Sequence, residues 1–302
     1  MRRAAAVSSP MLVAVALGIV YVVWGSTYLA IRVVVRDLPT LASASWRFLV
    51  AGLILATILA LRSGWRRLSA SRSELMGCAA LGLLLPALGN GLVSVGEDRG
   101  APSGIAALLV AAVPLWIIIF RVLTGDLPGR RTVVGVLLGF GGLVGLITAT
   151  GIGGDVSIVP CLIIVVATLC WSFGSWTMPR LALPVDPFVI AVYEMLFGSL
   201  FLALFALFAG ESLVPGGGSP TSWFAWSYLV VFGSVVAFTS YVWVLNTAPI
   251  SLVSTYAYVN PVVAVFLGWL ILSENLTWQI LLGGAVIIVG VALVVTSERR
   301  RK

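Results

Sequence analysis

Two ionisable side chains stand well inside long apolar stretches of this sequence, Arg47 and Glu194. A guanidinium stays charged throughout the working pH range, so Arg47 suits the binding of an anionic group. A carboxylate such as Glu194 can take and release a proton. Each could instead be tied to backbone carbonyls or hydroxyls and only fix packing. Two carboxamides also fall in apolar runs, Asn90 within Gly89-Asn90-Gly91 and Asn260 before Pro261. Polar groups in such runs need partners, so they face an interior or a water-filled cavity. Asn260 suits either ligand contact or the backbone that Pro261 frees. Trp24-Gly25-Ser26-Thr27 and Trp171-Ser172-Phe173-Gly174-Ser175-Trp176 each combine a bulky ring, a flexible Gly and hydroxyls. They suit a surface that packs on a ligand and moves, or ordinary packing by small residues. Trp116, Tyr241 and Tyr256 are amphipathic candidates for the same wall, Tyr256 one turn before Asn260 on one helical face.

Enzymatic chemistry is poorly supplied. The chain has no His, which removes the usual metal ligand and the usual general base. An aspartyl site would want two paired carboxylates inside the spans, and Glu194 stands alone there. No catalytic residue, metal or cofactor is expected. Cys78, Cys161 and Cys170 are odd in number, lie in apolar runs and lack CxxC spacing, so they read as small packing residues.

The elements that must position these groups are membrane helices. Of 302 residues 60% are hydrophobic and 10% charged, and the mean hydropathy is +1.12. Apolar runs of about 20 residues need a bilayer to bury them. The predicted spans are 11–35, 40–61, 74–96, 102–123, 132–150, 157–179, 187–209, 221–245, 249–272 and 277–296. The expected fold is therefore an all-α integral membrane protein with ten transmembrane helices. Arg2 and Arg3 before an apolar run resemble a signal peptide, but the run is too long and reads as an uncleaved first span.

The chain also repeats itself. Ala101-Pro102 to Pro114 has the same frame as Ala248-Pro249 to Pro261, and the same offset carries Trp24 onto Trp171, Ala44 onto Ala191 and Ala56 onto Ala203. After one inserted residue, Asp126 falls on Glu274, Gly135 on Gly283 and Gly142 on Gly290. Two sets of five spans, 1–150 and 151–302, join at a Gly-rich link. Five is odd, so the second set enters from the opposite side and the halves form an inverted repeat around a central cavity. Pro102 and Pro249 open their helices without cost. Pro114 and Pro261 fall mid-span, where each removes a backbone bond, and read as hinges. Arg47 maps onto Glu194 at mirrored depth, each about 10 Å in at 1.5 Å per residue. A direct ion pair would need both side chains stretched.

Basic residues set the orientation. With a cytoplasmic N-terminus, 14 of the 18 Lys and Arg lie on the inner side, against Arg32, Arg36 and Arg99 outside and Arg47 within a span. This positive-inside bias places both termini in the cytoplasm of a multi-pass cell (inner) membrane protein and Gly210–Pro220 outside. The net charge of +7 thus speaks of membrane orientation, and nucleic acid is not an expected partner. Trp65, Trp223, Trp226 and Trp278 near span ends suit interface anchors. Gly135, Gly139, Gly142, Gly283 and Gly290 form stripes that let helices approach closely, for packing within the chain or for a homodimer.

Trp24-Gly25-Ser26-Thr27-Tyr28-Leu29-Ala30, Arg47-Phe48, the Ala-Pro…Pro helices and the acid after each (Asp126, Glu274) resemble the EamA family of the drug/metabolite transporter superfamily. The resemblance covers nearly the whole chain. It implies a basket-like bundle and a secondary transporter that exports amino acids or other small metabolites by alternating access. The second half departs from the pattern at Trp171-Ser172-Phe173-Gly174 and in having Glu194 where the first has Arg, so strictly symmetric roles are not implied. The alternatives are an intramembrane enzyme and a channel-like facilitator. The expected cavity residues are Trp24, Thr27, Asn90, Trp116, Trp171, Ser175, Tyr241, Tyr256 and Asn260, with charge or coupling roles for Arg47 and Glu194.

Overall fold

The computed structural model describes residues 10–125, 127, 129–153, 157–248, 250–253 and 256–299. Asp126, Pro249 and the basic termini invoked above lie outside them. Among the described residues there are helices and no strand. We number them α1 Pro10–Val34, α2 Thr40–Ser63, α3 Arg72–Asp98, α4 Ser103–Leu123, α5 Arg130–Gly153, α6 Ile158–Thr177, α7 Pro187–Phe208 and α8 Pro220–Thr247. A short turn, Ile250–Val253, leads into α9 Tyr256–Leu272, and α10 is Trp278–Arg299.

Among the described residues seven helices, α1 to α4 and α6 to α8, are long and apolar enough to cross a membrane. Their outward faces carry exposed Leu53, Leu162, Leu200 and Phe232. So much apolar surface suits lipid rather than water.

The interruptions are not all where proline spacing puts them. α4 breaks at Ala111-Ala112, and Pro114 opens the piece that resumes at Val113, since a first-turn proline has no N–H partner to lose. Pro261, in contrast, sits inside the continuous α9. Two breaks were not foreseen. α3 widens into a π-helix over Leu83–Asn90, around Pro86, and α8 does so over Leu229–Phe238. These stretches match each other at the repeat offset.

Helices exchange partners between the halves. α1 packs along α8 and α9, and α6 packs along α3 and α4. α2 packs on α7, and α5 on α10. Both of these pairs run antiparallel: Ser45 meets Ser199 and Gly52 meets Leu196, while Thr132 meets Ser297 and Gly142 meets Ile287. The glycine stripe is used inside one chain. A methyl group on Gly290 would lie 2.5 Å from the Gly139 nitrogen, a distance no side chain tolerates.

Loop acids fasten one half to the other. Glu211 accepts from the N–H groups of Leu41 (2.9 Å) and Ala42 (2.8 Å), capping α2. Glu274 caps α4 through Ser103 N and Oγ, both at 2.9 Å. Asp37 accepts from Ser219 and Ser222 at the start of α8, each hydroxyl at 2.6 Å. These hydrogen bonds hold the exposed Asp37 carboxyl below its ordinary value. Asp186 accepts from Arg67 Nε at 2.8 Å and caps α7 at Phe188 N. Trp65 and Trp278 are exposed at helix ends, whereas Trp223 and Trp226 pack inward, Trp226 donating to the Ser43 carbonyl at 2.9 Å.

Candidate functional site

Where α1 and α6 cross, the repeat-related Trp24 and Trp171 meet edge to face, ring centroids 5.4 Å apart. Tyr241 and Tyr256 join them, 4.8 Å and 5.6 Å from Trp24. Edge-on geometry places the positive rim of one ring against the negative face of another. Indole donors are satisfied too: Trp24 Nε1 bonds the Gly233 carbonyl at 3.2 Å, and Trp171 Nε1 bonds Tyr241 Oη at 3.2 Å. The Gly233 acceptor belongs to the π-helical stretch of α8, whose irregular ladder supplies it. Gly25 lets α1 approach α9; a methyl there would lie 2.6 Å from Val263 Cβ.

Above this cluster lies a cavity of about 50 Å³. Trp24, Thr27, Asn90, Trp171, Tyr256 and Arg47 line it, as the sequence suggested. Tyr28, Val93, Val110, Val113 and Thr168 complete most of the wall and were not anticipated. Thr168 could have been: Trp116 Nε1 donates to its Oγ1 at 2.9 Å, so the polar tip of Trp116 marks it. A space this size is well below the ~150 Å³ that accommodates benzene. Anything larger than a few waters would fit only if helices parted.

Four of the anticipated residues stand behind the wall. Trp116 packs edge-on against Phe140, with centroids 4.8 Å apart. Ser175 Oγ lies 2.8 Å from Tyr241 Oη, and both support Trp171. Asn260 is buried, its carboxamide assigned by the acceptors it faces: the nitrogen donates to the Tyr21 and Tyr256 carbonyls at 3.0 and 3.3 Å. That network ties α9 to α1. Pro261 lines a separate groove of about 350 Å³ between α4, α9 and α10, walled by apolar side chains.

Arg47 is 4% exposed. It comes from α2, and its head is held by both π-helical stretches: Nε donates to Ser234 Oγ at 2.8 Å, and Nη1 to Asn90 Oδ1 at 3.2 Å. Both acceptors are neutral. Glu194 is fully buried, forms no ion pair with Arg47, and neither carboxylate oxygen has a hydrogen-bond partner. Cys78 and Tyr241 are its titratable neighbours.

Glu194 is not the one deep acid. α3 continues through Glu97, which is fully buried with both carboxylate oxygens unpartnered. Arg32 donates to the Glu97 backbone carbonyl rather than to its carboxylate. The predicted third span, 74–96, stops one residue short of Glu97. The packing of α1, α2, α4 and α6 around this end of α3 buries Glu97.

A duplicated, all-helical membrane protein with an aromatic cavity at the crossing of its repeat-related helices is the class that fold and site define. The model of the EamA-like transporter family matches twice, at residues 11–148 and 158–296, and the chain belongs to that family. It is 39% identical over 285 residues to the uncharacterized inner membrane transporter YedA of Escherichia coli (strain K12), covering 94% of this chain and 90% of that one. It is 26% identical over 299 residues to the uncharacterized transporter YvbV of Bacillus subtilis (strain 168), covering 96% and 93%. A solved crystal structure shares the fold, with a TM-score of 0.69 at 20% identity, covering 97% of this chain and all of the other.

Proposed function

We propose that this protein is a secondary transporter that exports small metabolites, amino acids or related compounds, by alternating access. Its ten spans form two inverted halves, with both termini cytoplasmic. The observation that carries this reading is the cavity itself, polar and aromatic, between Trp24 and Trp171 at equivalent places in the two halves. Such a site at a repeat interface suits exposure to each side in turn. Inversion is supported by the antiparallel course of α2 against α7 and of α5 against α10. Equivalent helices inserted in opposite senses must run so. Export is an expectation drawn from the family resemblance.

Two measurements test the reading. In proteoliposomes, labelled substrate should accumulate transiently against a preloaded unlabelled pool; flux that neither saturates nor shows counterflow would make the protein a channel. For topology, Gly216→Cys in the α7–α8 loop should react with an impermeant thiol reagent in intact cells, and Ser69→Cys should not. Both positions are exposed, and the reverse pattern inverts the orientation.

A further inference from the structure

We infer, resting on that transporter reading and narrowing its cargo away from amino acids, that the cavity selects organic monoanions, a carboxylate on an apolar or aromatic body, over zwitterionic amino acids. Arg47 lines the cavity, and among the described residues no Asp or Glu does. The one salt bridge among those residues, Arg67–Asp186, lies at helix ends far along the chain from it. Ser234 and Asn90 orient the guanidinium without neutralising it, and Nη2 has no acceptor among the described residues. A buried cation without a counter-ion is strongly unfavourable. An incoming carboxylate offsets that cost and finds two hydrogen-bond donors at the free end of the planar fork.

The remaining wall decides the rest of the ligand. The rings of Trp24, Trp171 and Tyr256 and the aliphatic Val93, Val110 and Val113 offer apolar contact. An α-ammonium beside the carboxylate would be forced close to Arg47, like charge against like, with no acid in the lining to receive it. Glu97 lies one turn past Val93 but outside the lining, and Glu194 is also outside it. On its other side Arg47 borders a small cavity of about 10 Å³ lined by Thr40, Ser43 and Ser94. The guanidinium thus stands between the central cavity and the end of the bundle where α1 turns into α2.

The test uses the full-length protein in lipid nanodiscs and isothermal titration with phenylacetate, hexanoate, phenylalanine, 2-phenylethylamine and 2-phenylethanol. The two carboxylates should bind at least ten-fold more tightly than the other three. Arg47→Gln should lose at least ten-fold in phenylacetate affinity. Asn90→Asp gives Arg47 an internal counter-ion, so it should lose phenylacetate binding equally in a protein whose thermal stability is not reduced. The second variant decides the matter should the first fail to fold. The inference falls if neither carboxylate binds, if phenylalanine or 2-phenylethylamine binds as tightly as phenylacetate, or if Asn90→Asp binds phenylacetate like the parent protein. The outcomes separate it from the transporter reading. Arg47-dependent binding without counterflow overturns transport and leaves the anion site standing, whereas phenylalanine counterflow indifferent to Arg47→Gln does the reverse.

Discussion

Arg47 and Glu194 occupy equivalent positions in the two halves, and their surroundings differ in kind. Arg47 is held by two neutral acceptors and looks into the cavity. Glu194 looks into packed helix surface, its carboxylate oxygens without a hydrogen-bond partner among the described residues. Duplication supplied both with the same scaffold, an α2 or α7 helix packed on its own counterpart. What diverged is the wall each side chain meets. Arg47 reaches the π-helical stretches of both α3 and α8, through Asn90 and Ser234. The Glu194 side chain has Cys78 of α3 and Tyr241 of α8 as neighbours, and its backbone is pressed on α3 so closely that a methyl on Gly82 would lie 2.9 Å from the Glu194 backbone carbonyl. On the proposed reading one copy of the position is a binding group and the other is a buried acid.

The sharpest way to break this comparison is to neutralise the acid. Glu194→Gln should abolish pH-driven accumulation in proteoliposomes while leaving exchange of substrate for substrate, which requires no net proton movement. Glu97→Gln, the same change at the other unpartnered acid, should leave accumulation intact. Should Glu97→Gln abolish the gradient and Glu194→Gln preserve it, the coupling group sits in the first half, beside Arg32 and Tyr28.

A second contrast lies one residue beyond the paired tryptophans. Gly25 in α1 has its repeat counterpart in Ser172 of α6. Gly25 is pressed against Val263 of α9, and the Ser172 hydroxyl reaches the Thr168 carbonyl of its own helix at 2.5 Å and the Val113 carbonyl of α4 at 3.2 Å. Gly25→Leu overfills the α1–α9 contact and should cost about 1–3 kcal/mol. Ser172→Ala removes one hydrogen bond and should cost about 1 kcal/mol. Thermal unfolding in detergent should therefore show the larger drop for Gly25→Leu; equal drops would mean the two crossings are packed alike.

The smallest expected effect compares the two loop acids. Asp37 and Asp186 stand in equivalent loops, and each fastens the approach to the third helix of the opposite half. The Asp37 carboxyl titrates below its ordinary value because Ser219 and Ser222 donate to it. Its contribution is therefore complete above the ordinary carboxylate range and fades as pH falls through its lowered value. Asp37→Asn should lower stability slightly at neutral pH, where that contribution is complete, and leave it unchanged below the lowered value, so that the acid limb flattens. A loss that persists at the same size in acid would show the latch to be structural through geometry rather than charge.

Much was legible in one dimension. Hydropathy settles that the chain belongs in a membrane, because about 20 apolar residues in a row have few other places to go. Duplication leaves its mark as a constant offset, so Trp24 and Trp171 could be paired before their rings were seen in contact. A proline near a break in the fourth helix follows from its missing N–H. What the sequence could not decide depends on neighbours brought in from elsewhere in the chain. The neutral partners of Arg47, the burial of Glu97 and the use of the glycine stripe between α5 and α10 all arise from packing between helices. Each is a contact between residues far apart in the chain, where local composition carries no signal and only tertiary packing sets the environment.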